Sequence, residues 1–264
     1  MAELTFGLYH AGQVVQAAPA GASAYVAYHH GYQSGDYYQV TVERTPAYLV
    51  AQFDPALAPA LVYLTEPTWR FDIPVNDLRE WPYPESAFAG RNHYASVRYA
   101  TADEIAARRN LALNSHDLRQ AQSVYPHASA NAETRGEYVF YARNAIDGYV
   151  ANENHGNWPF QSWGIDQRED AELTIDFGRP VTIDTAVITL RADYPHDTYW
   201  TDGRLSFSDG SEEAITMAKT AAAQRYTFTP RTVTWIKLNQ LKRALGTEYF
   251  PALTELAVYG QEAK

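Results

Sequence analysis

Residues 171–178, Ala-Glu-Leu-Thr-Ile-Asp-Phe-Gly, alternate between apolar and polar side chains and end in glycine. Successive side chains of an extended chain point to opposite faces. Leu173, Ile175 and Phe177 therefore share one face, and the polar residues between them share the other. This period of two residues is typical of a half-buried β-strand and does not fit a helix. The segment predicts a sheet with one face in a core and the other toward solvent.

Four other short motifs occur in a fixed order around this strand. In chain order the full set is Asn110–Asn114, Asn144–Gly148, Gln161–Gly164, Ala171–Gly178 and Ala252–Gly260. Together they resemble the discoidin family, also called coagulation-factor type C or galactose-binding-like domains, which includes many bacterial carbohydrate-binding modules. The resemblance covers about residues 110–260, rather more than half of the chain. It implies a β-sandwich that binds ligands on loops at one end.

Other parts of the chain also read as short strands separated by turn residues. In the first hundred residues these runs are Tyr25–Tyr28, Tyr37–Val42, Tyr48–Phe53, Leu61–Leu64 and Trp69–Ile73. Their spacing is typical of a sandwich or jelly roll. The later runs are Thr185–Leu190, Arg204–Ser208, Arg225–Thr229, Val233–Leu238 and Glu255–Tyr259. The Pro-rich stretch at residues 81–84 cannot form a central strand, so we expect it on the surface.

A capping box marks the junction between the two parts. Thr101 is followed three residues later by Glu104, which predicts a helix from Ala102 to about Arg109. The predicted fold is all-β, with two jelly-roll-like β-sandwich domains joined by this short helix. Residues 1–100 form an N-terminal sandwich of uncertain lineage, 101–109 the connector and 110–264 the discoidin-like domain. A connector without a Gly/Ser linker favours a fixed relation between the domains.

Composition and charge narrow the classes of partner. A formal net charge of −10 argues against nucleic acid or an anionic membrane as the main partner, because both are negatively charged and bind clustered Lys and Arg. The chain has no Cys, which excludes disulfides, thiolate metal sites and cysteine nucleophiles. We find no signal peptide or membrane-crossing stretch, so cytoplasmic location is the default expectation and an extracellular one stays open. The sequence does not set the oligomeric state.

The resemblance also implies a structural calcium site. In many relatives the Asn-Ala-Ile-Asp-Gly turn meets a Glu near the C-terminus, and Asp147 and Glu255 stand at the matching positions. Calcium prefers several hard oxygen ligands, which two carboxylates and loop carbonyls would supply. Residues 149–154 depart from the short polar loop of many relatives, which leaves the other ligands open. The alternative is that Asp147 caps its own turn and Glu255 lies on an exposed strand face.

Two matching tripeptides, Tyr125-Pro126-His127 and Tyr194-Pro195-His196, draw attention to the loops that follow predicted strands. Proline holds its neighbours extended, so each Tyr and His is presented rigidly. Polar and aromatic residues surround both tripeptides. The candidate ligand-binding residues are His127, Glu133, Arg135, His155, Trp158, Arg191, Asp193, His196, Asp197, Trp200 and Phe250.

These residue types suit the recognition of a sugar. Trp158 or Trp200 would stack on the apolar face of a pyranose ring, and Arg191, the histidines and Asp197 would hydrogen-bond its hydroxyls. We therefore expect non-catalytic carbohydrate recognition by loops at one end of the C-terminal sandwich. A glycan-active hydrolase or lyase that uses the same His, Asp, Glu and Arg cluster, with or without zinc, stays open. So does a protein-interaction module. No H-E-x-x-H or G-x-S-x-G motif is present.

Overall fold

The computed structural model describes residues 3–151, 156, 158–192, 198–246 and 250–263. The fold is all-β, as predicted, and its sheets are antiparallel. Within the part of the chain that the structure describes, no helix has the length and apolar character needed to cross a membrane.

The first half of the chain, together with one short strand of the second half, forms two sheets that enclose one apolar core. One sheet has the order β2-β1-β4-β7, and the other has the order β10-β6-β5-β8-β3. The core centres on stacked rings: Phe6 lies 5.2 Å from Tyr38 and 5.6 Å from Phe53. The strands are β1 Leu4–His10, β2 Gln13–Ala17, β3 Ser23–Tyr28, β4 Asp36–Val42, β5 Ala47–Gln52, β6 Ala60–Leu64, β7 Thr68–Asp72, β8 His93–Tyr99 and β10 Val124–Tyr125. The sequence runs predicted β3 to β7 closely and missed β1, β2 and β8.

The second half is built around two long strands. The sheet order is β12-β17-β13-β16-β14-β15, and β11 and β9 pair with β13 and β17. The strands are β9 Arg109–Asn110, β11 His127–Ala130, β12 Trp163–Gly164, β13 Leu173–Arg191, β14 Trp200–Phe207, β15 Glu212–Thr216, β16 Gln224–Arg243 and β17 Ala252–Glu262. Short 3₁₀ helices occupy Asn76–Leu78, Thr134–Gly136, Tyr138–Phe140 and Ala142–Ile146.

The alternating segment that contains Leu173, Ile175 and Phe177 is confirmed as the start of β13. Leu173, Ile175 and Phe177 are fully buried, and the polar residues between them are partly exposed. The structure joins this segment to the next predicted strand, with irregular pairing to β16 between Asp176 and Val181. Gly178 has a φ of +67°, and a Cβ there would lie 2.3 Å from the Tyr125 ring. Glycine is required because both the backbone conformation and the ring exclude a side chain.

The capping box is confirmed, but the helix is shorter than predicted. Thr101 accepts a hydrogen bond from the Glu104 N–H at 3.2 Å, and Glu104 accepts one from the Thr101 N–H at 2.8 Å. Helix α1 spans Ala102–Ala106. Arg109 leaves the helix because it pairs with β17 and donates to Glu262 at 2.6 Å. Tertiary pairing therefore overrides the helical continuation of the connector.

The two halves share several direct contacts beyond the connector. Strand β10 from the second half adds an edge to the second sheet of the first half by pairing with β6. Glu262 accepts hydrogen bonds from Tyr48 at 2.8 Å and from Arg179 at 2.6 Å. His116 enters the core of the first half, where its ring lies 5.0 Å from that of Phe53. The division of the chain at residues 101–109 stays a prediction, but these contacts join the halves through both strands and side chains.

Candidate functional site

The acidic turn holds two carboxylates that are almost completely buried. Asp147 accepts a hydrogen bond from the Tyr149 N–H at 2.9 Å, and Glu255 accepts one from the Gly148 N–H at 3.3 Å. Burial raises the pKa of Asp147 to about 7. Burial, and then the nearby charge of Asp147, raise the pKa of Glu255 well above its ordinary value. Two nearby buried acids resist ionisation unless positive charge accompanies them, and the Arg143 guanidinium, which lowers the pKa of Asp147, offsets only part of the effect of burial.

Gln161, which contacts this acidic pair, and the next residue in the chain each carry a neutral oxygen without a hydrogen-bond partner. The Gln161 side chain donates to Asp147 at 3.4 Å, whereas its own Oε1 is buried and unsatisfied. The Oγ of Ser162, the next residue, is also buried without a partner. Buried polar atoms are normally satisfied, so these orphaned oxygens are informative. Carboxylates with neutral oxygens form the donor set that calcium prefers. The alternative of a Glu255 on an exposed strand face is wrong, because its side chain is buried.

An aromatic cluster lies at one end of the second sandwich. Val139, Phe140 and Phe160 form a buried apolar group. The guanidinium of Arg191, the last residue of β13, lies 5.4 Å from the Phe160 ring centre and 6.0 Å from that of Phe140. These side chains therefore form a packed apolar layer at this end of the sandwich.

Trp158, two residues before Phe160 in the chain, is partly exposed. The residue is 38% exposed, and its ring makes a T-shaped contact with the Tyr149 ring, with the ring centres 5.2 Å apart. Trp158 lines a cleft of about 310 Å³ together with Trp81, which comes from the first half of the chain. An indole that packs against another ring and is exposed to a cleft can contact the apolar face of a ligand.

Two residues predicted to contact ligand are instead buried. Trp200 is 1% exposed and packs against Trp163, with the ring centres 6.2 Å apart. It begins strand β14, whereas the sequence interpretation placed it in a loop, so its stacking role is wrong. Arg191 is also buried, which turns its guanidinium toward the two Phe rings and away from an open ligand surface.

Three further candidates are engaged in local contacts. His127 lies on β11 opposite Asp176, and its Nδ1 is 2.8 Å from the buried Asp117 carboxylate. Burial disfavours the imidazolium, but the hydrogen bond and charge of Asp117 outweigh it, so the pKa of His127 is raised. Glu133 is paired with Arg119 at 2.7 Å, and exposed Arg135 is paired with Glu137 at 2.7 Å. The structure does not bring His127 together with Arg191, which lies at the other terminus of β13.

The remaining candidates divide into two groups. His155, Asp193, His196 and Asp197 lie outside the described residues, as does the whole second Tyr-Pro-His tripeptide. Phe250 is partly buried just before β17. Among the residues that the structure describes, no three His, Asp or Glu side chains are grouped as a metal site would require.

The sequence reasoning missed a second cleft, which lies between the two halves. It has a volume of about 360 Å³ and is lined by Tyr83 and Leu78 of the first half and by Tyr138 and Tyr141 of the second. The Pro-rich stretch at residues 81–84 was expected on the surface, but only part of it lies there: Trp81 is 53% exposed, whereas Pro82 and Tyr83 are buried. The proline content of residues 81–84 was the sequence signal for a surface segment at this place. It did not indicate which part of the second half would face that segment.

No protein-family model matches the chain, and no curated protein matches it. Solved structures are similar to part of it. A chitosan-binding module of a chitosanase/glucanase from Paenibacillus sp. IK-5 has 21% identity and a TM-score of 0.41, covering 57% of this chain and 98% of that one. The family 32 carbohydrate-binding module of C. perfringens NanJ, in complex with galactose, has 22% identity and a TM-score of 0.39, covering 50% and 91%. The lectin domain of lectinolysin, complexed with Lewis b antigen, has 18% identity and a TM-score of 0.42, covering 58% and 97%.

Proposed function

We propose that this protein binds carbohydrate without chemically changing it, at the end of the second sandwich that carries Trp158. The observation that supports this proposal is the partly exposed Trp158 ring on the wall of a cleft of about 310 Å³. A volume of this size falls within the range of about 300–1,000 Å³ that small-molecule sites occupy. A sugar ring has one apolar face, which an indole can cover, and hydroxyls around its edge.

The surroundings of Trp158 also favour a polyhydroxylated ligand. Arg79, Glu80 and Glu85 line the same cleft and offer charges of both signs. Arg79 already donates to the Glu85 carbonyl oxygen at 2.8 Å, so its cation is partly satisfied within the protein. Planar donors and acceptors around an aromatic wall can exchange hydrogen bonds with hydroxyl groups. We expect weak affinity, with Kd from about micromolar to millimolar, because these exchanges with water bring little net gain.

Replacing Trp158 by Ala is expected to abolish sugar binding while the protein stays folded. The ring is partly exposed and supplies the stacking surface, so its loss removes contact area without opening a core cavity. A glycan array should identify a ligand of the unmodified protein, and calorimetry should then compare the variant. The variant Tyr25→Ala removes another exposed ring and should bind normally. Undiminished binding by Trp158→Ala would contradict the proposal, and turnover of the bound glycan would make the protein an enzyme.

We further propose that Asp147 and Glu255 hold a structural calcium ion. The supporting observations are the burial of both carboxylates and the unsatisfied side-chain oxygen of Gln161, which hydrogen-bonds Asp147 through its amide nitrogen. Bound calcium would supply positive charge that lets both acids ionise without water. Its role would be to fix the turn at residues 144–148 against the last strand.

Calcium is expected to raise the melting temperature relative to excess EDTA. An ion present at 100 times its Kd stabilises the folded state by about 2.7 kcal/mol, which for a chain of this size is roughly 5–10 °C. Asp147→Asn should remove this response, because it deletes one charged ligand. Differential scanning calorimetry with and without calcium measures the effect, with magnesium as the control ion. Identical melting curves in EDTA and calcium, with no metal found by elemental analysis, would refute the site.

A further inference from the structure

The two clefts lie next to each other and share a wall. Tyr83 lines both the cleft that holds Trp81 and Trp158 and the cleft that holds Tyr138 and Tyr141. Its side chain is buried, and the Arg143 guanidinium lies 4.7 Å from its ring centre. Because Tyr83 belongs to the first half and Arg143 to the second, this contact fixes the two walls relative to each other. We call the two clefts together the interdomain groove.

Exposed apolar side chains are concentrated along the interdomain groove. Trp81, Trp158, Tyr138 and Leu78 line it, and each keeps at least 36% of its surface accessible. Large side chains of this kind usually occur singly on a soluble surface, so a row of them along a concave face marks a binding site. Two come from the first half and two from the second. Neither half alone would present the full row.

The backbone of Trp81 adds an independent observation. Its φ is +73°, a left-handed conformation that bulky side chains rarely adopt. Its ring also packs edge-on against Phe160 of the second half, with the ring centres 5.5 Å apart. A strained conformation that keeps a large ring exposed is typical of functional positions. Gly would adopt this φ without strain, whereas the tryptophan at this position places a large ring on the wall of the cleft.

The charges in the interdomain groove favour a neutral ligand. Arg70 is paired with Asp72 at 2.6 Å, and Arg119 is paired with Glu133 at 2.7 Å. Arg143 is buried and donates to the Asp117 carbonyl oxygen at 2.7 Å. These three arginines of the larger cleft are thus already satisfied within the protein. An anionic ligand would have to break those interactions, whereas a neutral polyhydroxylated ligand would hydrogen-bond to them as they stand.

From this arrangement we propose that the interdomain groove binds several consecutive residues of a neutral linear oligosaccharide, with Trp81 and Tyr138 contacting sugar residues beyond the one at Trp158. This proposal rests on the carbohydrate binding proposed above. It gives the first half of the chain a direct part in recognition. Affinity should therefore increase with ligand length until the groove is filled, because each added residue meets another aromatic side chain.

The test compares short and long ligands on matched variants. The probes are cellohexaose, xylohexaose, mannohexaose and the hexamer of N-acetylglucosamine, each measured beside its monosaccharide by calorimetry. The unmodified protein should bind one hexamer at least about tenfold more tightly than its monosaccharide, as expected when a further aromatic contact forms. Trp81→Ala should remove most of this gain. Because Trp81 also lines the cleft of Trp158, the measured quantity is the ratio of hexamer affinity to monosaccharide affinity in each protein. Tyr25→Ala, which lies outside the groove, should change neither affinity.

A second variant separates loss of contact from loss of folding. Trp81→Gly also removes the ring, and glycine adopts the positive φ without strain. Its melting temperature should therefore equal or exceed that of Trp81→Ala. It should still lose the increase in affinity with oligosaccharide length. If Trp158→Ala abolishes binding while both Trp81 variants keep the full gain, the groove proposal is wrong and the proposed function stands. Equal affinity for monosaccharides and hexamers would also overturn the groove. Failure of the unmodified protein to bind any glycan would overturn both proposals.

Discussion

Acidification to about pH 4 is expected to lower the free energy of unfolding by about 3 kcal/mol through His116 alone. The imidazole is fully buried between the halves, where Nε2 accepts a hydrogen bond from the Phe53 N–H at 2.9 Å. Burial, and then the charge of Arg143, lower the pKa of His116 from 6.5 to about 3. The unfolded chain therefore binds the proton below pH 6.5 while the folded protein stays neutral at this site. Stability contributed by neutral His116 is complete above pH 6.5 and is lost as pH falls toward 3.

The variant His116→Gln isolates this effect. A glutamine oxygen can still accept the Phe53 N–H but does not titrate, so the variant should lack the acid-dependent loss. Urea unfolding at several pH values should show the unmodified protein losing its advantage over the variant between about pH 6.5 and pH 4. Asp147 and Glu255 titrate in the opposite sense, because their raised pKa values favour the folded state in acid. The test therefore depends on the difference in the free energy of unfolding between the unmodified protein and His116→Gln. Parallel curves of this free energy against pH would contradict the prediction.

Truncating Trp163 to Ala is expected to destabilise the protein by about 3–5 kcal/mol. The indole is fully buried on strand β12, which pairs with β17, and it packs against Trp200. Its Nε1–H donates to the Ala132 carbonyl oxygen at 2.8 Å, so truncation also leaves that buried acceptor unpaired. The cavity would open within the second core, among the buried side chains that pack with Trp163.

Trp158→Ala provides the matched control for this prediction. It deletes the same side chain from a partly exposed position and should change the free energy of unfolding by less than about 1 kcal/mol. Chemical denaturation of both variants against the unmodified protein measures the contrast. Equal losses would show that Trp158 is as important to folding as Trp163, and the assignment of Trp158 to ligand contact would then lose its basis.

The strands that are easiest to predict from the sequence have one face in the core and the other toward solvent. Leu173, Ile175 and Phe177 could be placed in the core because burial on one face leaves a period of two residues. The capping box at Thr101 was equally clear, since both of its hydrogen bonds are local. Strand β1 was missed. It is mostly buried, and its central Gly7 interrupts the alternation.

Errors at the candidate site have a common physical cause. Trp200 and Arg191 carry side chains that suit sugar binding, and their type alone could not distinguish an open loop from a strand terminus against the core. The same ambiguity applied to Glu255, for which an exposed strand face was an open alternative. Burial depends on which distant strands pack over a residue, so it was decided by the tertiary structure.

By itself the sequence determined the all-β fold, most strand positions and the start of the connecting helix. Each of these depends on local hydrogen bonding, on side-chain alternation or on short motifs. The tertiary structure alone decided how the halves meet: β10 joins the first half, His116 enters its core, and Trp81 faces the cleft that holds Trp158. These contacts join residues that lie far apart in the chain. Packing and desolvation determine which residues meet, and no local sequence pattern indicates the partner of each one.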